Sequence, residues 1–311
     1  NIYCTTATRD LASIMLQDSA HIQEKDTAFV NKKRAKKNEP LFNPLYTVDN
    51  VRDTMKKFKS FPYDQQFFID NTNQTVSVTF FDAGHILGSA QVLLNISENG
   101  KTYRFAFSGD IGREHLPILK DPEFIGDVNY IISESTYGGR THDSAVDMDA
   151  QLESAIKEAL QRGGKIIVPA FSVGRTQEVV YSLSKLFGSG AILRFPIFVD
   201  SPLSVNVSDV FKLHHECFDK ETSELISKGV DVFGFSNLTY IKDVEDSKRL
   251  NNFQGPCMIL SASGMAEAGR VLHHLANNIE DPASTIMIIG YMAPDTLGRR
   301  LVESKDIENP V

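Results

Sequence analysis

The chain has 311 residues, 41% hydrophobic and 23% charged, and its 32 basic against 40 acidic side chains leave a net charge of −8. That length suits two domains with sizeable cores. No apolar run approaches the roughly 20 residues that cross a bilayer, and the N-terminus lacks a signal-peptide pattern, so a cytoplasmic setting with no membrane partner is expected. The negative balance excludes a protein that grips nucleic acid over its whole surface. Cys4, Cys217 and Cys257, odd in number and far apart, exclude a disulfide framework or a C-x-x-C metal clip.

In chain order, TTATRDLASIMLQDSAHIQ reads as a helix over about 8–25 with no preceding strand to pack on. The dense basic run NKKRAKK at 31–37 reads as a solvated loop that could touch a phosphate backbone. A short helix is expected around 48–59, then antiparallel strands at about 76–81, 90–96 and 102–108, the last two joined by an Asn99-Gly100 hairpin turn. VNYIISEST adds a short apolar strand ending in Glu134. The rhythm then changes. Segments starting at about 165, 196, 256 and 284 each run from an apolar strand through a Gly, Ser or Pro loop into a helical pattern. Four such units in succession mean a parallel sheet flanked by helices. The boundary falls near Gly138-Gly139, giving domains 1–139 and 140–311.

Three strands end in residues able to bind a metal. In FFDAGHILGSAQ the alternation of Val76, Val78 and Phe80 stops at Gly84, and His85 follows between small residues. Taken alone, His85 reads at least as well as a histidine satisfied by a backbone carbonyl. Gly84 and Gly88 would equally let the backbone turn so that the imidazole faces a metal. In FSGDIG, Asp110 follows a strand in a position where Asp often makes only a turn. Glu134 stands directly after an apolar strand, where a carboxylate needs a partner. As an ordered set, these residues are the nitrogen and oxygen donors of a zinc or mixed-metal hydrolytic site.

Two loops look suited to phosphate. Arg175 in SVGRTQE stands at a helix start, where a cation opposes the helix dipole by about 0.3–1 kcal/mol unless an anion is present. That anion would be a bound phosphate or an internal acid such as Asp200. In SASGMAEAGR, Ser261, Ser263 and the Gly264 amide could donate to a phosphate at a helix N-terminus. The adjacent pairs His214-His215 and His273-His274 point about 100° apart on a helix and read as surface or packing residues.

AGHILGSA, FSGDIG, ESTYGGR, PAFSVGRTQE, DSPLSV and SASGMAEAGRVLHHL, in this order, resemble the β-CASP nucleases of the metallo-β-lactamase fold. The likeness is strongest to the prokaryotic ribonucleases related to the eukaryotic pre-mRNA 3′-end endonuclease, and it covers essentially the whole chain. It implies an α/β architecture, with a partial metallo-β-lactamase αββα sandwich and an inserted β-CASP domain whose parallel sheet is flanked by helices. It also implies two zinc ions per complete site, with His85 as a ligand and Asp110 bridging the metals. Glu134 would open the insertion and orient a downstream histidine, and His142 in GGRTH would face the cleft. Single-stranded RNA is the implied partner, clamped between the domains, and a homodimer is left open.

The departures matter as much. The family's His-x-His-x-Asp-His is absent, and its later Ser-x-His and Val-His-Gly motifs do not follow the last of these segments. They are expected before Asn1 and beyond Val311, so the sequence reads as an excerpt that should bind zinc weakly and be inactive on RNA by itself. The rival readings are a non-catalytic RNA-binding relative, or a metallohydrolase acting on DNA or a small ester.

Overall fold

The computed structural model describes residues 1–70, 72–139 and 148–303. Two compact units emerge, one formed by Asn1–Glu114 with Asp121–Thr136, the other by His115–Lys120 with the chain from Tyr137 onwards.

The first unit opens with a strand that sequence reasoning did not anticipate. Ile2–Thr5 (β1) pairs in parallel with Phe58–Phe61 (β2). Between them run a 31-residue helix, Thr6–Lys36 (α1), and a short one, Val48–Met55 (α2). The Thr5 side chain caps α1 by accepting from the Thr8 amide, which fixes the helix start directly after the strand. The basic run at 31–37 forms the end of α1 instead of the expected loop, with Asn31 and Arg34 bonded to the backbone of the segment that follows.

Phe67–Phe68 (β3), Val76–Asp82 (β4), Ala90–Glu98 (β5) and Lys101–Phe107 (β6) form an antiparallel meander, and Tyr130–Ile132 (β7) joins β6 in parallel at the edge. Asn99 and Gly100, both at positive φ, make the β5–β6 turn as expected. Val78 and Phe80 bury one face of β4 with Phe67, and Tyr3 and Phe61 pack against them. The Phe61 and Phe67 rings stack with centroids 3.7 Å apart. β7 is an exposed edge, with Tyr130, Ile131 and Ile132 all more than half accessible.

The second unit is a five-stranded parallel sheet: Lys165–Pro169 (β8), Ile197–Asp200 (β9), Leu238–Ile241 (β10), Cys257–Ser261 (β11) and Thr285–Ile286 (β12), in the order β10-β9-β11-β8-β12. The central strands are buried on both faces, with Ile166, Ile167, Val168, Met258 and Ile259 all fully covered, as a sheet between helix layers requires. The helices are Met148–Arg162 (α3), Arg175–Gly188 (α4), Pro202–Phe211 (α5), Lys220–Ser227 (α6), Val244–Arg249 (α7), Val271–Asn278 (α8) and Leu297–Glu303 (α9). The parallel sheet matches the expected strand-loop-helix units. β10 is an additional strand.

Candidate metal centre

His85 and Asp110 come together through their backbones. Gly84 and Gly88 both sit at positive φ, and Gly84 N–H is held by the Asp82 carboxylate at 2.8 Å. The Ser89 hydroxyl then closes the turn by accepting from the amides of His85 and Ile86 at 3.1 and 3.3 Å. The carbonyl of Gly88 accepts from the hydroxyls of Thr5 and Thr8, so the N-terminus of α1 pins the far side of the His85 loop. A Cβ at Gly88 would lie 2.6 Å from the Thr8 amide nitrogen, and only glycine allows that approach.

The Asp110 loop is sutured to the His85 loop. Gly112 N–H donates to the Ala83 carbonyl at 2.8 Å, and a Cβ on Gly112 would fall 1.7 Å from the Gly84 carbonyl oxygen. This contact brings His85 Nδ1 to 4.0 Å from Asp110 Oδ2, with both side chains open to solvent.

Glu134 acts on the same loop from the end of β7. Its carboxylate accepts from the Ile111 amide at 3.0 Å and the Thr136 amide at 3.1 Å, while its own amide donates to Ser108 Oγ. Hydrogen bonds from the Thr136 side chain and from the Ile111 and Thr136 amides hold the Glu134 carboxyl below the usual carboxylate range. It is therefore an anion tethering the residue next to Asp110.

The donor set fits zinc in kind, one imidazole and one carboxylate on loops held rigid by backbone contacts. It is short in number, because among the described residues no cluster of three or more His, Cys, Asp or Glu is gathered. His142 lies outside the described residues.

The second unit carries the other expected residues at the C-terminal edge of its parallel sheet, where α/β folds place ligands. Arg175 is the first residue of α4, and its guanidinium pairs with Glu178 at 2.5 Å. Its partner is thus not Asp200. Ser263 Oγ accepts from the amides of Glu267 and Ala268. Ser261 is 1% exposed and its hydroxyl donates to the Asp200 carbonyl, so it is not a free phosphate donor. Gly264 lies against the Phe171 ring, 2.7 Å from where its Cβ would be. α8 starts only at Val271, so Gly264 is not at a helix N-terminus; the intervening residues form a folded loop.

Sequence reasoning missed the most heavily bonded group of this edge. Asp200, fully buried, receives Arg270 Nη1 at 2.6 Å, His274 Nε2 at 2.6 Å and Ser247 Oγ at 2.5 Å. Arg270 also donates to the Lys242 carbonyl. His274 is buried and bonded to Asp200, so within the His273-His274 pair only His273 remains a surface residue. Burial pushes the Asp200 carboxyl up, but the donors from His274, Ser247 and Arg270 outweigh it and leave the carboxyl below its ordinary range. The four-residue step from Arg270 to His274 puts both on one helix face and was the available signal.

Residues 176–301 match the Beta-Casp domain. The second unit is thus similar to the Beta-Casp domain. Relatives include "Ribonuclease TTHA0252" of Thermus thermophilus, 28% identical over 97% of this chain and 63% of that protein. The "RNase J-like protein" of Methanocaldococcus jannaschii is 29% identical over 99% of this chain and 65% of its own length. The "Transcription termination factor FttA" of Methanosarcina mazei is 29% identical over 96% of this chain and 45% of its length. The chain thus spans less than two thirds of the length of these relatives. No helix among the described residues is long and apolar enough to cross a membrane.

Proposed function

We propose that this chain carries part of the centre of a zinc-dependent ribonuclease acting on single-stranded RNA in processing or decay. The observation that carries the reading is the suture of the His85 and Asp110 loops at Gly84 and Gly112, which presents an imidazole and a carboxylate side by side. Two of the relatives quoted above bear ribonuclease names.

His85 and Asp110 would hold zinc, which supplies a Lewis acid for the charge that grows on the phosphoryl oxygens. Glu134 fixes the Ile111 amide and so sets the direction in which Asp110 presents its oxygens. Its anionic state keeps it an acceptor at neutral pH. Arg175, whose pair with Glu178 is partly open to solvent, is a cation for an RNA phosphate, and Ser263 supplies a hydroxyl on the neighbouring loop. With two donors in hand, residues 1–311 are expected to bind zinc weakly and to be inactive on RNA, full activity requiring further ligands.

The test is zinc affinity by chelator competition, with and without Asp110→Asn. Asn keeps the shape and removes the charge, so affinity should fall by about tenfold or more. An unchanged affinity overturns the assignment. Stoichiometric tight zinc with chelator-sensitive cleavage of labelled single-stranded RNA by residues 1–311 would show that the chain completes its site with other residues.

A further inference from the structure

α1 has two dissimilar faces along its second half. No residue from 21 to 36 is buried. One face, around Gln23, Thr27, Asn31 and Arg34, is half covered by the returning segment 39–46. Asn31 pairs with both backbone groups of Phe42, Arg34 with the Pro40 carbonyl and Glu39, and Ser19 with the Tyr46 hydroxyl. This strap explains why a strongly charged segment stays helical.

The opposite face is uncovered. At about 100° per residue, Ile22, Lys25, Phe29, Lys32, Lys33 and Lys36 fall within an arc of about 100° and extend over about 21 Å of helix. All six are exposed, and Phe29 has 61% of its surface accessible. No carboxylate between positions 22 and 36 lies in the arc. Lys33 Nζ stands 4.4 Å from the centre of the Phe29 ring, leaving the rest of that ring open. A favourable helix dipole accounts for cations in the last turn. It accounts neither for Lys25, well before that turn, nor for an exposed Phe29 and Ile22 among them.

Four cations flanking an open aromatic ring match one chemistry: a strand of phosphates carrying unstacked bases, with lysines tracking the backbone and the ring receiving a base. A second copy of the chain fits worse, because a two-fold pairing of this face would set lysines against lysines. We propose that the exposed face of α1, from Ile22 to Lys36, is an accessory single-stranded RNA contact, separate from the His85–Asp110 centre. This rests on the RNA reading given above and adds a place where the strand is held.

The test is fluorescence anisotropy with a labelled 15-nucleotide single-stranded RNA over a range of KCl concentrations, with EDTA present so that nothing is cut. The triple variant Lys32→Ala, Lys33→Ala, Lys36→Ala removes three phosphate contacts. It should reduce the slope of log affinity against log salt by about two units, at about 0.7 per contact on a single strand. Phe29→Ala should weaken binding about tenfold at unchanged slope, as loss of one stacked base does. Alanine favours helix, so circular dichroism should match the unsubstituted chain. RNA bound by both variants with unchanged slope and affinity overturns this contact alone. No RNA binding by the unsubstituted chain overturns it together with the RNA reading. A dimer in sedimentation velocity that the triple variant dissociates, at equal RNA affinity, assigns the face to self-association and likewise overturns it.

Discussion

Replacing Asp200 by Asn tests whether the buried charge cluster at the end of β9 holds the second unit together. The carboxylate has no exposure, and its two oxygens take hydrogen bonds from Arg270, His274 and Ser247. An amide has one acceptor oxygen, so its NH2 group must face at least one of these donors. Breaking a buried pair from one side costs about 3–5 kcal/mol. Arg270 keeps 18% of its side chain exposed, so water recovers part of that loss and about 3 kcal/mol is expected. For a unit of this size that is a melting temperature lower by about 6–12 °C. The pH dependence follows from the sign of the shift. The folded carboxyl titrates below its ordinary 3.8, so its contribution is fully present above 3.8 and is lost as pH falls through the folded value. Scanning calorimetry should therefore show the full gap between the chain and Asp200→Asn at pH 7, closing below pH 3.8. Arg270→Met should destabilise the unsubstituted chain more than it does the Asp200→Asn variant, by about 1 kcal/mol or more. A shift under about 2 °C at pH 7, or a gap that ignores pH, would refute this account.

Gly112→Ala places a methyl group 1.7 Å from the Gly84 carbonyl oxygen, so the two loops must part. A loss of about 3 kcal/mol and a changed His85 ring environment by NMR are expected, whereas an unperturbed His85 signal would show that the suture does not set the site. Arg175→Ala removes an i,i+3 pair worth about 0.3–0.5 kcal/mol, so melting should shift by under about 2 °C while the salt slope of RNA binding falls by about 0.7. A large thermal shift with an unmoved slope would make the arginine structural.

What was legible in the sequence follows the strength of the local signal. β4, β5 and β6 were legible from their apolar alternation, Val76, Val78 and Phe80 in β4, although both faces of β4 are covered in the fold, and the buried strands β8 and β11 read as continuous apolar runs. β1 was hidden because its four residues pass straight into threonines that also cap a helix. The full length of α1 was hidden because residues 26–36 carry no apolar period; the strap at Asn31 and Arg34 supplies the support that periodicity normally signals. β10 was hidden because it is four residues long and follows a loop, with Val232 and Phe233 buried, that is as apolar as the strand itself. The pairing of Asp200 was misread for a different reason. Both Arg175 and Arg270 lie after strands of the same sheet, and only the folded loop before α8 decides which one reaches the acid.

The same distinction governs the candidate metal centre. Histidine and aspartate after strand ends announce the chemistry, but their meeting depends on backbone proximity that no donor residue encodes. Gly112 permits it by lacking a side chain where the Gly84 carbonyl passes, and Gly88 permits the parallel approach of α1. Glu134 then spends both carboxylate oxygens on amides around that junction. None of these three contacts uses a metal. The orientation of the two loops is thus set by the polypeptide itself, and a substitution that spares every donor, Gly112→Ala above all, should disturb the His85–Asp110 arrangement more than Asp110→Asn does.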